Sequence, residues 1–211
     1  MLEIDGLCKS YHGRTVLEPV RFYLPAGQCL GLTGDNGSGK STLLRLLAQV
    51  EKPDSGDVRF QGRSILGDRK FLRKSLGYVP QYNDLMQDLT VERQLELWQS
   101  ACGLKQPLSQ ELSELLGIGP MWKKKIRTLS GGMQRRVSIA MALMSHPQIL
   151  IMDEATTGLD RDYRMGLLDW LEQYLAQGGR LIWCSHDPEE LDRLCGDRLR
   201  IRDGKMDRET K

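Results

Sequence analysis

The stretch GLTGDNGSGKSTLLRLLAQV, residues 31 to 50, constrains this 211-residue chain more than any other. An apolar run ends at Thr33, glycines fall at 34, 37 and 39, and apolar residues resume at Leu43, Leu44, Leu47 and Val50 with the spacing of one helical face. A strand that turns through glycines straight into a helix exposes that helix's free N–H groups and the positive end of its dipole. The glycines let the backbone close around an anion. Lys40 and the hydroxyls of Ser41 and Thr42 stand at the helix entry. The pattern G-x-x-x-x-G-K-[ST] in this context is a cradle for the phosphates of a nucleotide, built from Gly34, Asp35, Asn36, Gly37, Ser38, Gly39, Lys40, Ser41 and Thr42. Lys40 is expected to reach the β- and γ-phosphates, and Ser41 to hold Mg²⁺.

Such a unit belongs in an α/β layer architecture. ILIM at 149–152 and RLIWC at 180–184 are short continuous apolar runs, as in buried parallel strands. Helices are expected in GGMQRRVSIAMALMSH, DYRMGLLDWLEQYLA and DPEELDRLC. The expectation is a P-loop ATPase core with a mostly parallel sheet. LEIDGLCKSY and VRFYLPAGQCLGLTG predict antiparallel strands at the N-terminal edge. From Tyr82 to Thr128 the leucines at 85, 89, 95, 97, 112, 115 and 116 suggest a helical insertion. One domain follows, with its core at 1–81 and 129–211 and a helical subdomain at about 82–128.

Bulk properties remove several classes. The formal net charge of +2 makes no electrostatic case for nucleic acid. No apolar run approaches the roughly 18 residues of a membrane span. The opening MLEIDGL lacks the basic and apolar regions of a secretory leader. The five cysteines have no C-x-x-C spacing, as expected of reduced thiols in the cytosol. A partner is free to supply membrane spans.

Other motifs carry chemistry. Asp153 and Glu154 end the apolar run ILIMDE, where open α/β sheets bind ligands. Asp153 suits Mg²⁺, and Glu154 suits polarising an attacking water. His186 follows RLIWCS, a place for a γ-phosphate contact or for a structural histidine. Gln81 precedes the insertion, where it either touches Mg²⁺ and water or lies in a solvated loop. Tyr11 either stacks on an adenine face or packs on a strand. LSGGMQ, Leu129 to Gln134, is a second glycine cradle, without the lysine of the first.

Taken in order, Tyr11, Gly34–Ser41, Gln81, LSGGMQ, ILIMDE, TGLD and His186 resemble an ABC transporter ATP-binding subunit, most like those of drug, lipid or small-molecule exporters. The resemblance runs from about Tyr11 to Lys205. It implies an ATP hydrolase that dimerises head to tail and drives a separate membrane-spanning subunit. Tyr11 is then the adenine-stacking aromatic, Gln81 a metal and water contact, Glu154 the catalytic carboxylate and His186 the γ-phosphate switch. Ser130, Gly131, Gly132, Gln134 and Asp160 serve in trans, on the ATP held by a partner's Lys40. The second cradle needs no lysine because the partner brings one. Ala155 and Arg161 stand where prolines are frequent, and Gly158 where alanine is; none removes a phosphate or metal group. The implied location is the cytoplasmic face of the inner or plasma membrane, held through the transmembrane partner. The implied assembly is a homodimer, or a pair with a different ATPase. A non-transport relative acting on DNA or ribosomes is the alternative. A GTPase or nucleotide kinase leaves LSGGMQ unexplained, and no N-K-x-D motif is present.

Overall fold

The computed structural model describes residues 1–209. Two sheets sandwich the helix that follows the glycine loop. The first sheet is built from β1 (Leu2–Tyr11), β2 (Arg14–Leu24), β4 (Ser55–Phe60) and β5 (Arg63–Ser64), in the order β2-β1-β4-β5. It is antiparallel, as expected, but β1 is an inner strand rather than an edge, and CLGLT, read with these strands, instead enters the second sheet with parallel neighbours on both sides. The second sheet contains β3 (Cys29–Thr33), β6 (Leu76–Val79), β7 (Ile149–Asp153), β8 (Arg180–Cys184), β9 (Asp197–Arg202) and β10 (Lys205–Arg208), in the order β10-β9-β3-β8-β7-β6. All its pairings are parallel except the β9–β10 hairpin.

The pleat sends alternate residues of the buried strands to opposite faces. Ile149, Ile151, Ile182 and Cys184 meet α1 (Lys40–Leu47) and the antiparallel sheet. Leu150, Met152, Leu181 and Trp183 face α5 (Gly131–Leu143), α6 (Arg161–Ala176) and α7 (Pro188–Leu194). Both faces are covered, which is why these strands read as unbroken apolar runs. The stretch 82–128 carries α3 (Val91–Cys102) and α4 (Gln110–Leu115), packed on the same core as α5. Thr90, Ser109 and Ser130 cap α3, α4 and α5 by accepting a backbone N–H three residues on. A further helix, α2 (Arg69–Ser75), precedes β6.

Two expectations fail locally. Val50 does not share the buried face of Leu43, Leu44 and Leu47, because the helix stops at Leu47 and Gln49 takes φ 53°, turning Val50 outward. Leu85 and Leu89 lie before α3 rather than in a helix, and Leu85 is buried in the core. Among the described residues no helix is long and apolar enough to cross a membrane.

Candidate nucleotide site

Gly34 and Gly39 are fixed by close approach as well as by conformation. Gly34 has φ 134°, and a Cβ there would lie 2.2 Å from the Ile201 carbonyl oxygen on β9. Gly39 has φ 114°, and its Cβ would meet the Val16 carbonyl at 2.9 Å, so the β1–β2 hairpin that ends in Tyr11 leans on the loop. The loop therefore curls tightly over the start of α1. Lys40 is almost fully buried and donates to the Gly34 and Asp35 carbonyls at 2.6 and 3.0 Å. Asp35, Asn36 and Gly37 are exposed at the tip, while Ser38 and Thr42 are buried beneath it. Among the described residues the Ser38 hydroxyl has no hydrogen-bond partner.

Asp153 ends β7 and is 1% exposed, yet among the described residues neither carboxylate oxygen has a hydrogen-bond partner. Burial pushes its carboxyl above the ordinary Asp range and nearby Glu154 adds to the rise, while Ser41, Cys184 and Lys40 oppose it. Burial also pushes the Cys184 thiol up to about 12, so it stays neutral beside that carboxylate. An orphaned buried carboxylate beside a serine hydroxyl and a buried ammonium fits a hard divalent cation with phosphate oxygens.

Glu154 adopts φ 51°, an uncommon backbone conformation for a non-glycine residue. Its Oε1 accepts from Gln81 Nε2 at 3.3 Å and lies 3.0 Å from His186 Nε2. The chain thus brings Lys40, Ser41, Gln81, Asp153, Glu154 and His186 into one neighbourhood. Among the described residues the buried Tyr11 hydroxyl has no hydrogen-bond partner, and the Lys9 ammonium lies 5.6 Å from its ring centroid.

Ser130 and Gly131 are exposed at the start of α5. Gly132 has no room for a side chain, since a Cβ would lie 2.2 Å from the Gly158 carbonyl. The glycine pair thus abuts the loop that ends in exposed Asp160, the N-cap residue of α6. Gln134 turns back into its own chain and donates to the Ile126 and Leu129 carbonyls at 3.2 and 3.3 Å. Among the described residues no hydrogen bond joins Leu129–Gln134 or Asp160 to the Lys40 loop.

Residues 17–157 match the ABC transporter family. The chain belongs to that family. It is 36% identical over 209 residues to Nod factor export ATP-binding protein I of Ralstonia nicotianae, covering 97% of this chain and 65% of that protein. It is also 36% identical over 207 residues to linearmycin resistance ATP-binding protein LnrL of Bacillus subtilis, covering 96% and 66%. The chain therefore spans just under two thirds of the length of these relatives. The structure of an ATP binding subunit of an ABC transporter superposes with a TM-score of 0.88 at 26% identity, over 99% of this chain and 90% of that one. A dimeric ATP-binding cassette bound to ADP and Pi shares the fold, with a TM-score of 0.85 at 24% identity over 100% of both chains.

Two features of this ABC chain escaped the motif reading. Glu190, on α7 and 1% exposed, accepts from the hydroxyls of Thr156 at 3.0 Å and Ser185 at 2.5 Å, and pairs with Arg164 at 2.8 Å. Arg164 also pairs with Asp187. This network holds the turn that carries His186. The second feature is Arg135, a buried guanidinium on α5 that reaches the backbone beside Gln81 and Glu154. Its signal in the sequence was the pair of adjacent arginines, Arg135 and Arg136, at the head of a helix whose later residues are mostly apolar.

Proposed function

We propose that this chain binds and hydrolyses ATP as the ATP-binding subunit of an exporter, pairing with a second ATPase subunit to drive a membrane-spanning one. The observation that carries the proposal is the convergence of Gln81 and His186 on Glu154, beside an orphaned Asp153 and the buried Lys40. In this reading Lys40 exchanges its two loop carbonyls for phosphate oxygens, and the N–H groups of the loop and of α1 surround them. The purine lies on the Tyr11 side, next to the hairpin that leans on Gly39. Ser41, Asp153 and Gln81 would hold Mg²⁺, whose charge would offset that of the phosphates. Glu154 accepts a proton from the attacking water. His186, on the exposed rim of the same carboxylate, orients the γ-phosphate.

Among the described residues, the N–H groups of the Ser130–Gly132 turn at the head of α5 have no partner, and Ser130 and Gly131 are exposed. In the proposed dimer the turn caps the γ-phosphate held by the other copy, with Asp160 crossing beside it. Gln134 contributes by holding the turn through its two backbone contacts.

The helical stretch at about 82–128 acts as the subdomain that faces the membrane subunit. A groove of about 420 Å³ lies between it and the core, lined in part by Val50, Leu72, Tyr82 and Trp98. Tyr82 is 81% and Met86 56% exposed, so large apolar area is left for a partner. Through that partner the chain sits at the cytoplasmic face of the membrane.

Glu154→Gln tests the catalytic assignment. It removes the base but keeps the shape. Hydrolysis should fall about a hundredfold or more, while ATP and Mg²⁺ drive a dimer seen by light scattering. Unchanged hydrolysis would remove Glu154 from the mechanism.

A further inference from the structure

Arg135 is 3% exposed, and no carboxylate pairs with it among the described residues. Its guanidinium instead donates to main-chain carbonyls of two loops. One terminal nitrogen donates to the Pro80 carbonyl and to Asn83 Oδ1 at 3.3 Å. The other donates to the carbonyls of Gln81 at 3.1 Å, Asp153 at 3.2 Å and Glu154 at 2.8 Å. Only a planar fork with several N–H donors spans two backbone segments in this way; an ammonium is a point donor. A buried cation is expensive to keep in place, and here it is spent on carbonyls rather than on a neutralising partner.

Two of those carbonyls belong to Gln81 and Glu154, whose side chains meet at 3.3 Å, and the other two to the residues just before them, Pro80 and Asp153. Glu154 is also the residue at φ 51°, a conformation that persists only when its surroundings hold it. Arg135 stands on α5, five residues after Ser130, which caps that helix. The helix is a rigid body between the two.

We infer that Arg135 is a positioning residue for Gln81 and Glu154 and that, through α5, it ties the geometry of the chain's own carboxylate to the seating of Ser130–Gly132 on a partner's nucleotide. The inference rests on the proposed function. A shift of the Ser130 turn moves the guanidinium, and with it the backbone of both catalytic loops. The two sites of a dimer are then mechanically coupled through a single side chain. Arg135 itself touches no substrate.

The test uses the full chain with MgATP. Arg135→Met, close in length and apolar, should lower kcat about tenfold to a hundredfold, with the affinity of the isolated chain for ATP held within about twofold. Arg135→Lys should recover only a small part of kcat. In a Glu154→Gln background, Arg135→Met should add less than about threefold to the loss, because both changes act on one group. ATP-driven dimerisation of that double variant should persist but at higher ATP. Near-wild-type kcat for a folded Arg135→Met chain overturns the inference, as does full multiplication of the two losses. Equal loss of ATP binding and hydrolysis also overturns it, by making Arg135 a general stabiliser. If Arg135→Met does not fold, the same criteria apply to Arg135→Lys, whose full kcat would refute the need for a fork. Normal hydrolysis by Glu154→Gln alone would instead sink the underlying functional reading.

Discussion

Glu190→Gln isolates the network that holds the His186 turn. In the folded chain Glu190 is 1% exposed, pairs with Arg164 at 2.8 Å and accepts two hydroxyls. Both hydroxyls donate to one oxygen, Oε2, while Oε1 faces Arg164, so a glutamine that keeps its carbonyl under the hydroxyls turns its amide towards a guanidinium that has only donors. Breaking a buried pair from one side costs about 3–5 kcal/mol. Arg164 and Asp187 are each about a third exposed and still face one another, so the cost falls below that range, at roughly 2–3 kcal/mol. For a chain of this size each kcal/mol is about 2–4 °C, so Tm should fall by about 4–12 °C. Thermal and urea unfolding followed by circular dichroism measure the loss. Arg164→Met and the double variant complete a cycle whose coupling should be about 1–3 kcal/mol. Hydrolysis should fall roughly tenfold as the turn loosens, with ATP still bound. Additive losses in the cycle, or a single variant within about 0.5 kcal/mol of the parent, would refute the network as a stabilising unit.

Two further changes probe the site and its surface. Because burial raises the Asp153 carboxyl, folding favours its protonated form; that stability is complete below the ordinary Asp range and is lost as pH rises through the raised value. Asp153→Asn should therefore melt about 2–4 °C above the parent at neutral pH, on the order of 1 kcal/mol, with the advantage shrinking as pH falls, while Mg²⁺-dependent hydrolysis is lost. A parent more stable than the variant at neutral pH would show that the carboxylate is better satisfied than its geometry implies. Tyr82→Asp with Met86→Asp should leave the isolated chain's ATPase unchanged and abolish coupling in the reconstituted transporter. Loss of ATPase in the isolated chain would show that these residues support hydrolysis itself rather than the docking of a partner.

The phosphate loop was legible because glycine, lysine and serine at fixed spacing report local backbone chemistry. The buried strands were legible for the same reason, since a strand covered on both faces must be apolar throughout. Contacts that depend on distant segments were not. Nothing near Gly34 announces that the Ile201 carbonyl would lie 2.2 Å from a Cβ there. β9 and β10 went unread because DRLRIRDGKMDR is charged at nearly every other position, as an exposed hairpin is. Nothing in DPEELDRLC sets Glu190 apart from the carboxylates beside it, and only the fold brings Thr156, Ser185 and Arg164 around it. Arg135 sits in a helix buried nearly all round, where periodicity does not say which way a side chain points. Val50 continued an apolar pattern that the backbone abandons at Gln49. The candidate site itself was read almost entirely from motifs, and the side chains that hold those motifs in place were not.

The central claim is that each ATP is completed by two chains, and mixing two inactive variants tests it most directly. Lys40→Ala disables one phosphate loop but leaves Ser130–Gly132 whole. Ser130→Arg does the reverse, setting a bulky cation where the γ-phosphate is capped. Each homodimer has two defective sites, whereas a mixed dimer has one site with both defects and one with neither. ATP-dependent crosslinking between the two variants, measured together with hydrolysis, should show association and partial turnover that neither variant shows alone. If both variants fold and exchange subunits, yet the mixture neither associates nor hydrolyses ATP, the shared-site account is contradicted.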